Sequence, residues 1–314
     1  MKVLVTGGAG FIGSYTCELL LKKDYEVVCL DNFNDFYNPE QKEKNIEECL
    51  KNENFKLYRA DLRNKEILDK IFRENEIDKI IHLGAMAGIS ASLDKPELYF
   101  EINVIGTLNL LETMKKFGVK HLIFGSSSSI YGEREKGPFS EEDNVDKPIS
   151  PYASSKKACE ELCYCYHHLY GIKVTCLRLF TVYGPRQRPD LAIMKFIKLA
   201  LEDKPIQLYG DGSTMRDYTY VEDIAEGILK ALEKEFDYEI INLGNNNPVK
   251  LSMLIDIIEK GIGKKIKREF KPLQKGDVSI TFANISKAKK LLKWQPKMPI
   301  EKGIRKEIEW VKTK

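Results

Sequence analysis

The chain reads as an α/β protein, a doubly wound parallel sheet followed by a smaller mixed α/β cap at the C-terminal end. Three observations predict this. Short β-branched runs alternate with longer helical patterns through the first half, the signature of parallel strands joined by crossover helices. A glycine-rich turn lies between the first such run and the first helical pattern. Beyond about Pro185 the alternation breaks into shorter patterns separated by turn signals, which marks a second unit.

Taken in order, strands are expected at residues 2–6, 26–30, 55–59, 79–83, 121–125 and 173–178, and helices at 11–22, 65–75, 98–116 and 152–170. In the second half, Gly210-Asp211-Gly212 and Asn245-Asn246-Asn247-Pro248 separate helical patterns at 221–234, 251–260, 285–292 and 300–311. The expected division is a sheet domain over 1–185, completed by later crossovers from the C-terminal half, and a cap over 186–314. At 314 residues the chain can bury a sizeable core.

Composition excludes several classes. Fifty basic against forty-seven acidic residues leave a charge of +3, spread along the chain, so no nucleic-acid partner is expected. No signal-peptide pattern and no apolar run of about 18 residues occurs, so the protein is expected to be cytoplasmic and free of membrane spans. Seven cysteines, an odd number scattered over the chain, argue against a disulfide framework. Cys159, Cys163 and Cys165 precede His167 and His168, but a helix places Cys159 and Cys163 on one face and Cys165 on another. Packing is the expected role, and no metal site is expected.

The glycine turn is Gly8-Ala9-Gly10-Phe11-Ile12-Gly13, directly after the first strand and opening the first helix. Small residues there let the backbone turn tightly and approach a pyrophosphate, whose charge meets the unpaired amides of a helix N-terminus. Asp31 ends the second strand 18 residues after Gly13, where a carboxylate accepts hydrogen bonds from ribose hydroxyls and repels a 2′-phosphate. NAD is therefore favoured over NADP. Asp61-Leu62 and Leu83-Gly84-Ala85 fall at further strand ends, where such sheets line their ligand crevice.

Tyr152 and Lys156 stand four residues apart on a predicted helix, so their side chains share a face. Of the fifteen tyrosines only Tyr152 has a lysine four residues later. An ammonium beside a phenol stabilises the phenolate, so the pair can take a hydroxyl proton at neutral pH. Ser126-Ser127-Ser128-Ser129 follows the fifth strand and forms a polar floor at the crevice edge.

Together these residues resemble the extended short-chain dehydrogenase/reductase family, and within it the UDP-sugar 4-epimerases. The resemblance covers essentially the whole chain and includes Thr6 to Gly13, Asp31-Asn32, Asp61-Leu62, Asn103-Val104-Ile105-Gly106-Thr107, Ser126 to Gly132, Tyr152 to Lys156 and Arg216-Asp217-Tyr218. It implies a Rossmann sheet holding NAD through Gly7, Gly10, Phe11, Ile12, Gly13, Asp31, Asn32, Asp61, Leu62, Leu83, Ala85, Asn103, Tyr152 and Lys156. It further implies Tyr152 as base, Lys156 on the cofactor ribose, and Ser127 assisting. In the implied cycle C4 of the hexose is oxidised, the 4-keto sugar rotates, and reduction occurs on its other face. Arg216 would meet the substrate pyrophosphate and Asp277 the uridine ribose. A homodimer through helices 98–116 and 152–170 is also implied.

The segments from Asp31 to Tyr37 and from Phe180 to Asp190 resemble the branch acting on UDP-glucuronate. Thr181 stands where epimerases of neutral UDP-hexoses usually carry Asn. With Ser127, Ser128 and Arg188 it offers donors for a C6 carboxylate. One departure counts against this: the branch commonly has Arg where this chain has Ile89, in Ala87-Gly88-Ile89-Ser90. UDP-glucose or its N-acetyl relative is the alternative substrate. A 4,6-dehydratase or a UDP-glucuronate decarboxylase is less expected, because Ser127-Ser128-Ser129-Ile130 lacks the carboxylate those enzymes place before Tyr-Gly. A non-catalytic dinucleotide-binding protein is least expected, since it would not need Tyr152.

Overall fold

The computed structural model describes residues 1–134, 136–272 and 278–313. Its strands are β1 (Lys2–Thr6), β2 (Glu26–Asp31), β3 (Phe55–Arg59), β4 (Lys79–His82), β5 (His121–Ser127), β6 (Lys173–Leu179), β7 (Thr181–Tyr183), β8 (Ile206–Tyr209), β9 (Met215–Tyr220), β10 (Tyr238–Leu243), β11 (Pro248–Lys250), β12 (Arg268–Lys271) and β13 (Ile280–Thr281). Its helices are α1 (Phe11–Leu21), α2 (Pro39–Asn45), α3 (Lys65–Glu74), α4 (Ile89–Asp94), α5 (Pro96–Tyr99), α6 (Gly106–Phe117), α7 (Pro151–Tyr170), α8 (Ala192–Leu201), α9 (Val221–Leu232), α10 (Leu251–Ile262), α11 (Ser286–Leu292) and α12 (Ile300–Lys312).

Seven strands form one parallel sheet in the order β10-β6-β5-β4-β1-β2-β3. The alternation of β1 shows why both faces must be covered. Val3 and Val5 enter one core with α1 and α9, whereas Leu4 enters the other with α3, α6 and α7. Six of the strands match the expected runs, and the seventh, β10, comes from the C-terminal half. Trp294, near the C-terminus, is also buried in the α1/α9 core. The sheet order reverses at β1, which pairs with both β2 and β4, and such reversals open a crevice at the strand C-termini.

The cap packs α8, α10 and α12 around Ile197, Ile206, Ile255 and Ile304. Its strands were not among the expected elements. β7, β9, β11 and β13 form a small sheet and β8 pairs with β12. They span only two to six residues each, too short for a period of two to declare itself. The expected helix 98–116 is also broken: α5 runs into a π-helical turn, Phe100–Ile105, before α6.

Buried charges knit the sheet to α7. Arg178 on β6 donates from Nε and Nη2 to Glu160 of α7 at 3.0 and 2.8 Å, and Ser126 Oγ on β5 donates to Glu160 Oε1 at 2.6 Å. Arg178 Nη1 donates to the Tyr131 hydroxyl at 3.1 Å, and that hydroxyl donates to Asn242 Oδ1 on β10 at 2.7 Å. Both members of the ion pair are about 2% exposed. Losing one partner strands a buried charge, so Glu160→Ala is expected to cost about 3 to 5 kcal/mol in urea unfolding. The double variant Glu160→Leu/Arg178→Met is expected to recover much of that loss; a loss equal to the sum of the singles would show that the pair is not coupled.

Candidate active site

A cavity of about 480 Å³ opens at the C-terminal ends of the central strands. Its glycine turn is dictated by space. Gly7 has φ +69°, and a Cβ on Gly13 would stand 2.1 Å from the Gly7 carbonyl oxygen. No side chain caps the N-terminus of α1, and its first turn carries no acidic residue. Gly7, Gly10, Phe11, Ile12 and Gly13 all line the cavity.

Asp31, Asn32, Asp61, Leu62, Leu83 and Ala85 line it from the ends of β2, β3 and β4. Asp31 is already engaged: Oδ1 accepts from the Phe33 amide at 2.9 Å and Oδ2 from the Ala9 amide at 3.2 Å. Lys42 Nζ lies 3.7 Å from Asp31 Oδ1, both side chains being buried, and donates to Asn34 Oδ1 at 3.0 Å. Burial pulls the Lys42 ammonium below its ordinary pKa, and Asp31 opposes that. Asp61 accepts from Asn32 Nδ2 and from the Arg63 side chain, both at 2.9 Å. Burial would raise the Asp61 carboxyl, but these bonds hold it down at about 2.

Lys42 was not among the residues singled out from sequence. It sits on α2, whose start was written in Asn38-Pro39-Glu40: Asn38 caps the Glu40 amide at 3.0 Å and Pro39 takes the first helical position.

Ser150 starts α7 by capping the Ala153 amide at 3.1 Å, with Pro151 in the first turn. Tyr152 and Lys156 therefore lie in the first two turns, and both line the cavity. The Tyr152 ring packs edge-on to Tyr99, with centroids 6.1 Å apart. Lys156 is buried, donates to the Gly125 carbonyl at 2.7 Å and lies over the Phe124 ring. Ser127 and Ser128 line the same wall; Ser127 Oγ accepts from the Ser129 amide at 3.2 Å.

Thr181, Arg188 and Arg216 line it from the cap side, with Leu191, Val278 and Thr281 beside them. Arg188 donates from Nε and Nη2 to Asp190 at 3.0 and 2.7 Å, and its guanidinium carbon lies over the Phe36 ring, 5.1 Å from the centroid. A Cβ on Gly88, which has φ +114°, would come within 3.4 Å of Arg188 Nη2. Arg216 is presented because its strand neighbour Asp217 faces inward, accepting from the amides of Asn245, Asn246 and Ala283 at 3.0, 3.1 and 2.9 Å.

One expected site residue stands apart from the lining. Asn103 is buried behind the cavity, with its carboxamide bound to the Met86 backbone and to Ser155 Oγ. Asp277 lies outside the described residues. Cys159 and Cys163 are buried under the sheet and Cys165 is exposed. Among the described residues no helix is long and apolar enough to cross a membrane.

A parallel sheet with a glycine turn at its order reversal, and a Tyr–Lys pair four residues apart on the facing helix, define an extended short-chain dehydrogenase/reductase. More narrowly, the chain belongs to the family of GDP-mannose 4,6 dehydratase, whose sequence model matches residues 4–307. It is 50% identical over 310 residues to a UDP-glucuronate 4-epimerase of Thermodesulfobacterium geofontis, covering 98% of this chain and 95% of that protein. It is similar to the UDP-glucuronic acid 4-epimerase of Bacillus cereus solved with UDP-glucuronic acid and NAD, with TM-score 0.94, 39% identity, and coverage of 100% and 99% of the two chains. The UDP-glucose 4-epimerase of Thermotoga maritima, solved with UDP-glucose, has TM-score 0.92 and 33% identity, with coverage of 100% and 99%.

Proposed function

We propose that this chain is an NAD-dependent isomerase that inverts C4 of UDP-glucuronate to give UDP-galacturonate. The carrying observation is that Tyr152, Lys156 and Ser127 share one cavity with the glycine turn, Asp31 and the cap arginines. The uncapped N-terminus of α1, free of acidic residues, suits a pyrophosphate. Asp31, Asn32, Asp61, Leu62, Leu83 and Ala85 would hold the remainder of the dinucleotide, and Asn103 would hold the turn at Met86. When bound, NAD supplies reversible oxidation at the sugar C4.

The protein's own residues do the rest. Tyr152 takes the C4 hydroxyl proton and returns it to the inverted oxygen, so no proton is gained or lost over a cycle. Lys156, fixed on the Gly125 carbonyl, places a cation beside the phenolate. Ser127 hydrogen-bonds the same substrate oxygen. Arg216 and Asp277 hold the UDP, so that binding energy from the remote nucleotide leaves the keto sugar free to turn. Elimination of water would need a further acid near the sugar. Among the described cavity-lining residues the carboxylates are Asp31 and Asp61, at the ends of β2 and β3.

For the uronate, Thr181, Ser128 and Arg188 supply donors to the C6 carboxylate. Ile89 lines the cavity where the branch commonly has Arg, and Arg188 packs against Gly88 beside it, so a cation still reaches this position. The proposed protein is a cytoplasmic homodimer joined through residues 98–116, which run from α5 through the π-helical turn into α6, and through α7, supported by exposed Phe100, Ile105 and Leu169. Its sheet domain and cap divide at residue 185.

The direct test is incubation with UDP-glucuronate, UDP-glucose and UDP-N-acetylglucosamine without added reductant, with chromatography of the products. Interconversion of the uronates faster than the neutral sugars is expected; faster turnover of a neutral pair overturns the substrate assignment. Tyr152→Phe is expected to abolish turnover with the fold and bound NAD retained, and activity within about tenfold of the parent would remove Tyr152 as base. Asp31→Asn leaves Lys42 facing the ribose site without its carboxylate. It should raise the affinity for NADP relative to NAD by about tenfold in titrations of cofactor-stripped protein, an unchanged ratio being the contrary result. Arg188→Ala should lower kcat/KM for the uronate by about tenfold or more and affect neutral sugars less, whereas equal losses would make Arg188 a general contact.

A further inference from the structure

His82, the last residue of β4, is buried between two threonines. Its Nδ1 lies 2.6 Å from Thr6 Oγ1 and its Nε2 lies 3.0 Å from Thr107 Oγ1. The Thr107 hydroxyl donates to the Asn103 carbonyl at 2.5 Å. A carbonyl only accepts, so the Thr107 proton is committed and its oxygen must accept from His82 Nε2–H. Burial pushes the imidazole down to about 3, and the nearby Lys156 ammonium, opposing a second positive charge, acts the same way more weakly. The ring is therefore neutral, Nδ1 is an acceptor, and the Thr6 hydroxyl must donate to it. Thr6 Oγ1 in turn accepts the Gly84 amide at 3.0 Å.

The hydrogen bonds thus run in one direction, from Gly84 N–H through Thr6, His82 and Thr107 to the Asn103 carbonyl. Both ends reach the site. Gly84 lines the cavity. Asn103 grips the Met86 amide at 2.7 Å and Ser155 Oγ at 2.9 Å, and Ser155 donates to the Tyr152 carbonyl at 2.8 Å.

We infer that His82 is a positioning residue, locked as its Nε2–H tautomer, that registers the Gly84–Met86 turn against the first turn of the helix carrying Tyr152. Its kinetic consequence rests on the proposed epimerase reading; its tautomer does not. A one-directional chain has a property that ordinary packing lacks: removing the Thr107 hydroxyl leaves the His82 Nε2–H without its acceptor and so removes what selects that tautomer.

The test has two arms. In protein labelled with 15N-histidine, long-range proton–nitrogen spectra of the four histidines, assigned by a His82→Gln variant, should show His82 with a bare Nδ1 and a protonated Nε2, unchanged from about pH 5 to 9. A protonated Nδ1, or titration in that range, overturns the inference whether or not the protein is an epimerase. In the second arm, Thr107→Val should lower kcat for UDP-glucuronate by about tenfold to a hundredfold with KM little changed, as expected for a displaced reacting group. Thr107→Ser, which restores only the hydroxyl, should recover activity. Full activity in Thr107→Val, or no rescue by Thr107→Ser, overturns the positioning role. Inactive parent protein with the expected tautomer would sink the epimerase reading and leave the tautomer assignment standing.

Discussion

The ion pair between Glu160 and Arg178 is the constraint on which the site depends. A carboxylate and a guanidinium placed in a dry interior are tolerable only if every remaining lone pair and proton finds a partner. Ser126 supplies one, Tyr131 another, and Asn242 completes the chain. Satisfying the pair therefore fixes α7, β5, β6 and β10 relative to one another. Glu160 stands one turn beyond Lys156 and Ser126 adjoins Ser127, so the same network sets where the helix bearing Tyr152 meets the end of β5. An apolar contact of equal area would hold these elements together but would tolerate a slide between them.

Charge is handled differently within the cavity. Asp31 and Lys42 form a second buried pair, looser at 3.7 Å, with backbone amides taking up the carboxylate. The cavity wall at the end of β2 is consequently less negative than a lone aspartate would make it. The local field there is the balance of two opposite charges, and changing either one alters it. At the other end Arg188 is held bidentate by Asp190 and lies over the Phe36 ring. Any anion entering the cavity there must compete with Asp190 for the guanidinium or share it.

Much of the fold was legible because parallel strands buried on both faces are written as apolar runs, and because glycine is demanded where Gly7 and Gly13 leave no room for a side chain. Tyr152 and Lys156 were legible because helical spacing alone puts them together. What escaped reading depended on tertiary partners. The short strands of the cap exist because β9 offers edges to β7, β11 and β13, and none carries a periodic pattern of its own. Lys42 looks like a surface charge on a polar seven-residue helix until Asp31 is brought to it. Asn103 matched a motif associated with the cofactor, but position in a motif does not disclose that its carboxamide is spent on Met86 and Ser155.

The placement of β10 beside β6 also bears on how the chain is made. While the polypeptide emerges from the ribosome, β6 is synthesised and can join β5, yet its outer edge has no neighbour until residues 238–243 are available. For that interval an apolar strand presents unpaired amides and carbonyls, the condition under which edges recruit strands from other chains. Trp294 arrives later still to fill the α1/α9 core. A nascent chain stalled in the cap would thus carry an unfinished sheet rather than a finished domain with a missing appendage, and the cell's chaperones and proteases would meet it as such.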